Sequence, residues 1–180
     1  MTNLHDLHTF GSQLPQTATM PVFFFGHGSP MNAIEDNEFS RKWRSIGENL
    51  PTPTAILAIS AHWLTQGSTA VTAMPEPRTI HDFGGFPQAL FDVQYPAQGS
   101  PVLAHTVIDT INMTHVHEDM AWGLDHGTWS VLRHVFPQAN VPIVQLSIDY
   151  SQGAAYHWAL GQQLAALRQK GVLIVASGNM

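Results

Sequence analysis

The chain has 180 residues, enough for one domain with a real core, and 11% of them are charged, well under the usual quarter or so. A formal charge of −6 with seven Lys plus Arg argues against nucleic acid, and no apolar run approaches the length of a membrane span. There is no cysteine, which excludes disulfides and thiolate chemistry, so any metal site must use His, Asp, Glu or water.

The low charge points to much buried or interface surface and a possible homo-oligomer. The first twenty residues lack the basic and apolar regions of a signal peptide, so a cytoplasmic location is expected. Eleven histidines are the abnormal feature of the composition. Residues 1–19, with His5 and His8, are polar and aperiodic and read as a flexible start to a single domain over 20–180.

Pro21-Val-Phe-Phe-Phe25 has the continuous apolar pattern of a strand buried on both faces, and Gly26-His-Gly-Ser-Pro30 follows at once. His27 therefore sits at a strand end, where open α/β sheets bind ligands, and is placed to hold a metal. Phe39, Trp43, Ile46 and Leu50 recur at helical spacing and predict a helix over Glu38–Asn49, which Pro51-Thr-Pro53 ends. Ala55–Ser60 is a second buried strand and delivers His62. If the two strands are neighbours in a parallel sheet, His27 and His62 meet; the alternative is that each satisfies only its own loop.

Thr69–Ala73 reads as a short strand. Pro75–Tyr95 is long, irregular and aromatic-rich, the composition of a binding loop with His81-Asp82 as its polar centre; an Asp-capped turn is the alternative. Ser29, His81 and Asp82 are the candidate substrate contacts. Pro101–Asn112 is a helix with proline at its start and His105 on its less apolar side. His115-Val-His117 alternates as an edge strand does. In Asp125-His126-Gly127, either Asp125 or Thr128 can start a helix over Trp129–Phe136. A helix N-terminus disfavours an imidazolium, which suits His126 to proton transfer near neutral pH; a capping-loop histidine is the alternative.

Val141–Ile148 is the next buried strand, followed by a helix over Gly153–Gln169 with Trp158, Leu160, Leu164 and Leu167 inward, then a last strand over Val172–Ala176. The alternation predicts an α/β fold with a mostly parallel central sheet flanked by helices. So apolar a final strand makes a poor exposed edge and needs a covering neighbour, so the chain is expected to be part of a longer protein.

Taken together, Gly26-His-Gly-Ser-Pro30, Ser60-Ala-His-Trp63, Ile80-His-Asp-Phe-Gly-Gly-Phe-Pro87, Trp122-Gly-Leu-Asp-His-Gly127 and Val144-Gln-Leu-Ser-Ile148 closely resemble the class III (LigB-type) extradiol ring-cleaving dioxygenases, the 4,5-DOPA group among them. The resemblance runs from about Met20 to Met180. It implies that His27 and His62 are metal ligands and that His126 is an active-site histidine assisting proton transfer or oxygen binding. It also implies a further active-site histidine and a last metal ligand beyond Met180, so the 180-residue chain by itself is expected to bind metal weakly and to be inactive. The implied activity is ring opening of a catechol by O2 beside the diol, with Fe(II) as the active metal and Zn(II) able to occupy the same histidines. Two other readings are a Memo-like scaffold protein with a metal-type pocket and a zinc hydrolase.

Overall fold

The computed structural model describes residues 17–179. Six strands form one sheet in the order β1-β6-β2-β5-β3-β4. They are β1 (Val22–Gly26), β2 (Ala55–Thr65), β3 (Thr69–Thr72), β4 (Val116–Asp119), β5 (Ile143–Asp149) and β6 (Val172–Gly178). Every pairing is parallel except β3 with β5. The helices are α1 (Glu38–Glu48), α2 (Gln88–Phe91), α3 (Pro101–Thr110), α4 (His126–Val135) and α5 (Ala154–Leu164).

Side chains on a strand alternate between its faces, and the central strands use both for packing. From β6, Leu173 and Val175 join Trp43 of α1 and Trp129, Leu132 and Val135 of α4. Val172 and Ile174 join Leu103 and Val107 of α3 and Leu160 and Leu164 of α5 on the opposite face. The outcome is the expected α/β fold, a mostly parallel sheet with helices on both sides.

Several expectations change. β1 and β2 are not neighbours, because β6 lies between them, pairing Phe25 with Ser177 and Ser60 with Ser177. The apolar last strand is therefore no edge: β1 and β2 supply the neighbours it needs, and burial on both faces explains its composition. β2 does not stop at Ser60 but runs to Thr65, and its register against β5 shifts between Ile59 and Leu64. Trp158 is 72% exposed, because the inward stripe of α5 is set by Leu160 and Leu164. The last part of the predicted helix tightens into a 3-10 turn over Ala165–Lys170. Pro75–Tyr95 holds the short helix α2, and β4 carries His117 at the outer end of the sheet.

Of the segment expected to be flexible, residues 1–16 lie outside the described residues. Thr17 is tied by its backbone N–H to Gln169 O at 2.8 Å. Among the described residues, no helix is long and apolar enough to cross a membrane.

Candidate metal centre

Three of the six strands bring residues to one place. β1 passes directly into His27, whose backbone N–H continues the ladder to Gly178 O of β6 at 3.1 Å. Gly28 then takes φ 60°, the left-handed region that glycine enters without strain, and the chain turns away from the sheet. Asn32 holds the turn by donating to His27 O at 2.9 Å. His62 sits in the stretch of β2 that leaves the register, and irregularities of this kind re-aim side chains beside functional sites. Its backbone N–H donates to Ser60 Oγ at 3.2 Å.

His126 arrives from the other direction, as the first residue of α4. The helix starts there rather than at Trp129 because Asp125 caps it, accepting from Thr128 N–H at 3.1 Å. Asp125 is fully buried and also bonds the side chains of Ser60 and Gln145, so one carboxylate ties α4 to β2 and β5. Burial pushes the Asp125 carboxyl up, and those donors oppose the shift.

The three rings converge. His27 Nε2 and His62 Nε2 are 3.1 Å apart, and the His62 and His126 ring centres are 4.0 Å apart. One side-chain nitrogen from each of His27, His62 and His126 lies within 4.8 Å of the others. The two imidazoles meet across the end of β6, and β6 also supplies the partner that turns His27: Ser177 Oγ is 2.8 Å from His27 Nδ1. Asp82 does the equivalent for the other two. Its Oδ2 is 2.9 Å from His126 Nδ1 and 3.6 Å from His62 Nδ1, and its Oδ1 accepts the His126 backbone N–H at 2.9 Å. The Nδ1 contact of His126 is close but poorly aligned for a hydrogen bond.

Burial, reinforced by His126 and His62, lowers the His27 pKa to about 4, and burial first and then His126 lower His62. At neutral pH His27 and His62 offer uncharged nitrogen donors, and imidazole of this kind suits iron and zinc. The donor set therefore fits a first-row divalent ion. Buried neutral histidines also make the fold sensitive to acid. His134, whose Nε2 contacts Asn32 O at 2.9 Å, is likewise lowered by burial. As the pH drops below the unfolded value of about 6.5, the unfolded chain takes up protons that the folded chain refuses, so metal-free stability should fall between about pH 7 and about pH 4. Denaturant midpoints across that range check this, and a rise in stability toward acid would contradict it.

Beside the histidines lies an aromatic wall. Phe83 stands edge-on to His126 with ring centres 5.4 Å apart and also meets Phe86, Phe91 and Trp129. His81 packs on Trp129, and its Nε2 contacts Val93 O at 3.0 Å. Ser29 is exposed, and its side chain accepts from Met31 N–H at 3.2 Å at the start of a 3-10 turn. His105 pairs with Glu118 at 3.3 Å, away from the cluster.

Ser177, Asp125 and Gln145 escaped the reading of the sequence as parts of this site. A signal existed for Gln145, a fully buried amide inside the apolar run of β5. Such a residue needs partners, and its side chain finds Asp125 and Thr128, while its backbone N–H donates to the Thr72 hydroxyl.

Comparison with known proteins points to one family. Residues 21–180 match the family described as the catalytic LigB subunit of aromatic ring-opening dioxygenase. A protein of Escherichia coli (strain K12) named 4,5-DOPA dioxygenase extradiol is 56% identical over 162 residues, 89% of this chain and 59% of its own length. One of the same name from Beta vulgaris is 42% identical over 164 residues, 88% of this chain and 61% of its own. The crystal structure of an uncharacterized Escherichia coli K12 protein superposes with a TM-score of 0.74 at 46% identity, covering 88% of this chain and 59% of that one. The chain thus spans about three-fifths of the length of these relatives.

Proposed function

Because the chain belongs to the LigB family of aromatic ring-opening dioxygenases, we propose that the protein opens the ring of a catechol, DOPA-like in kind, with O2 by cleavage beside the diol. The observation that carries the reading is the convergence of His27, His62 and His126 at the end of a parallel sheet, beside a wall of phenylalanine rings.

In this reading His27 and His62 hold the metal, Fe(II) in the active protein, and Zn(II) can occupy the same nitrogens. Fe(II) in a histidine site with open positions supplies the redox chemistry that lets O2 react with an aromatic diol. The chain's own residues bind, orient and move protons. Ser177 keeps the His27 ring turned so that Nε2 faces His62. His126 takes a proton from a substrate hydroxyl at Nε2 and returns it to the opening ring. Phe83, with Phe86 and Phe91 behind it, offers a planar apolar surface to an aromatic ring and keeps water from that side. Ser29 and His81 complete the substrate side, and their replacement raises KM without removing metal.

The test is oxygen uptake by the protein at its full natural length, loaded with Fe(II) under anaerobic conditions and then given a catechol. The expected result is O2 consumed in step with a ring-opened semialdehyde. Metal retained without O2 uptake would remove the dioxygenase reading and leave a scaffold or a hydrolase.

A further inference from the structure

We propose that Asp82 is the positioning carboxylate of the histidine cluster, fixing His126 in the tautomer that carries its proton on Nδ1 and leaves the Nε2 lone pair free toward His27 and His62. The assignment rests on the dioxygenase reading for its purpose, though its geometry stands apart from it.

Both oxygens of Asp82 are engaged. Oδ1 takes the His126 backbone N–H, and Oδ2 faces His126 Nδ1 at 2.9 Å and His62 Nδ1 at 3.6 Å. The Asp82 side chain is 18% exposed and that of His126 6%, so little water screens the contact. An Nδ1 lone pair held that close to a carboxylate oxygen would be repelled, whereas an Nδ1–H is attracted. The proton therefore resides on Nδ1, as it does where a carboxylate orients a metal-binding histidine. A carboxylate waiting for substrate would keep an oxygen free.

The backbone explains why Asp82 stands where it does. Residues 78–80 pair in parallel with Leu124: Leu124 N–H donates to Arg78 O at 2.9 Å and Ile80 N–H to Leu124 O at 2.8 Å. In a regular ladder the next bond would join His126 N–H to Ile80 O. That carbonyl instead accepts Trp129 Nε1–H at 2.7 Å, and His126 N–H turns to the Asp82 side chain. A broken ladder thus sets the carboxylate opposite the first residue of α4. Phe83 follows directly, so the same segment places the aromatic wall against the ring that Asp82 orients.

The test uses nitrogen-detected NMR of histidine side chains in the metal-free protein, comparing wild type with Asp82→Ala, Asp82→Asn and the exposed same-segment control Glu76→Gln. The expected result is a single Nδ1–H tautomer at His126 in wild type and Glu76→Gln, and its loss in both Asp82 variants with the fold retained. An Nε2–H tautomer in wild type would overturn the proposal, as would an unchanged tautomer in both Asp82 variants. Unfolding of both would make Asp82 a structural residue and also end it. The tautomer requires neither metal nor substrate, so a wild type that binds no Zn(II) or consumes no O2 refutes the dioxygenase reading and leaves this result to be judged alone.

Discussion

Replacement of His126 by alanine is expected to lower turnover by roughly 10²–10⁴-fold while metal content stays near that of wild type. The expectation follows from dividing the three rings by role. His27 and His62 face one another nitrogen to nitrogen at 3.1 Å, and both are carried by strands of the sheet or their immediate continuation. His126 comes from a helix rather than a strand end, and its position depends on Asp82 and on the cap at Asp125. Metal analysis and oxygen-uptake rates on the same preparation make the measurement. Loss of metal in parallel with activity would make His126 a ligand instead.

Replacement of Gly127 by alanine should be nearly as damaging, although the residue performs no chemistry. A Cβ at that position would stand 2.5 Å from Ser60 Oγ and 2.9 Å from His62 Cδ2. Ser60 has no room to retreat, since it is fully buried and holds the backbone of His62. Overpacking of this kind costs about 1–3 kcal/mol of stability. The larger consequence is a displaced His62 ring, and a shift of about 1 Å in a positioned group can cost on the order of 10²-fold in rate. Gly161→Ala, in α5 where an added Cβ meets nothing within 4 Å, serves as the control and should be neutral or slightly stabilising. If Gly127→Ala keeps wild-type Zn(II) affinity and turnover, the close approach of α4 to β2 has no functional weight.

What could be read before folding was local. Val22–Phe25 and Ala55–Ser60 are continuous apolar runs ending in histidines, and that pattern alone placed His27 and His62 beside a sheet end. How they meet was not legible, because strand order is a long-range property: no local signal near either histidine says that β6 slides between their strands. The register shift in β2 was hidden for a related reason, since Ser60-Ala-His-Trp63 carries no glycine or proline to mark it. Trp158 misled because apolar character and helical spacing suggested the inward stripe, while packing of α5 is decided by Leu160 and Leu164. Asp82 was found as a polar centre of its loop, but which side chains it would serve depended on a ladder between residues more than forty positions apart.

The central claim is that His27 and His62 hold one metal ion at this sheet end, and locating Zn(II) added to the protein tests it most directly. A crystal structure or X-ray absorption measurement should place the ion about 2.0–2.1 Å from an imidazole nitrogen of both residues. An ion bound elsewhere, or none, with His27 and His62 still in nitrogen-to-nitrogen contact, would contradict the account.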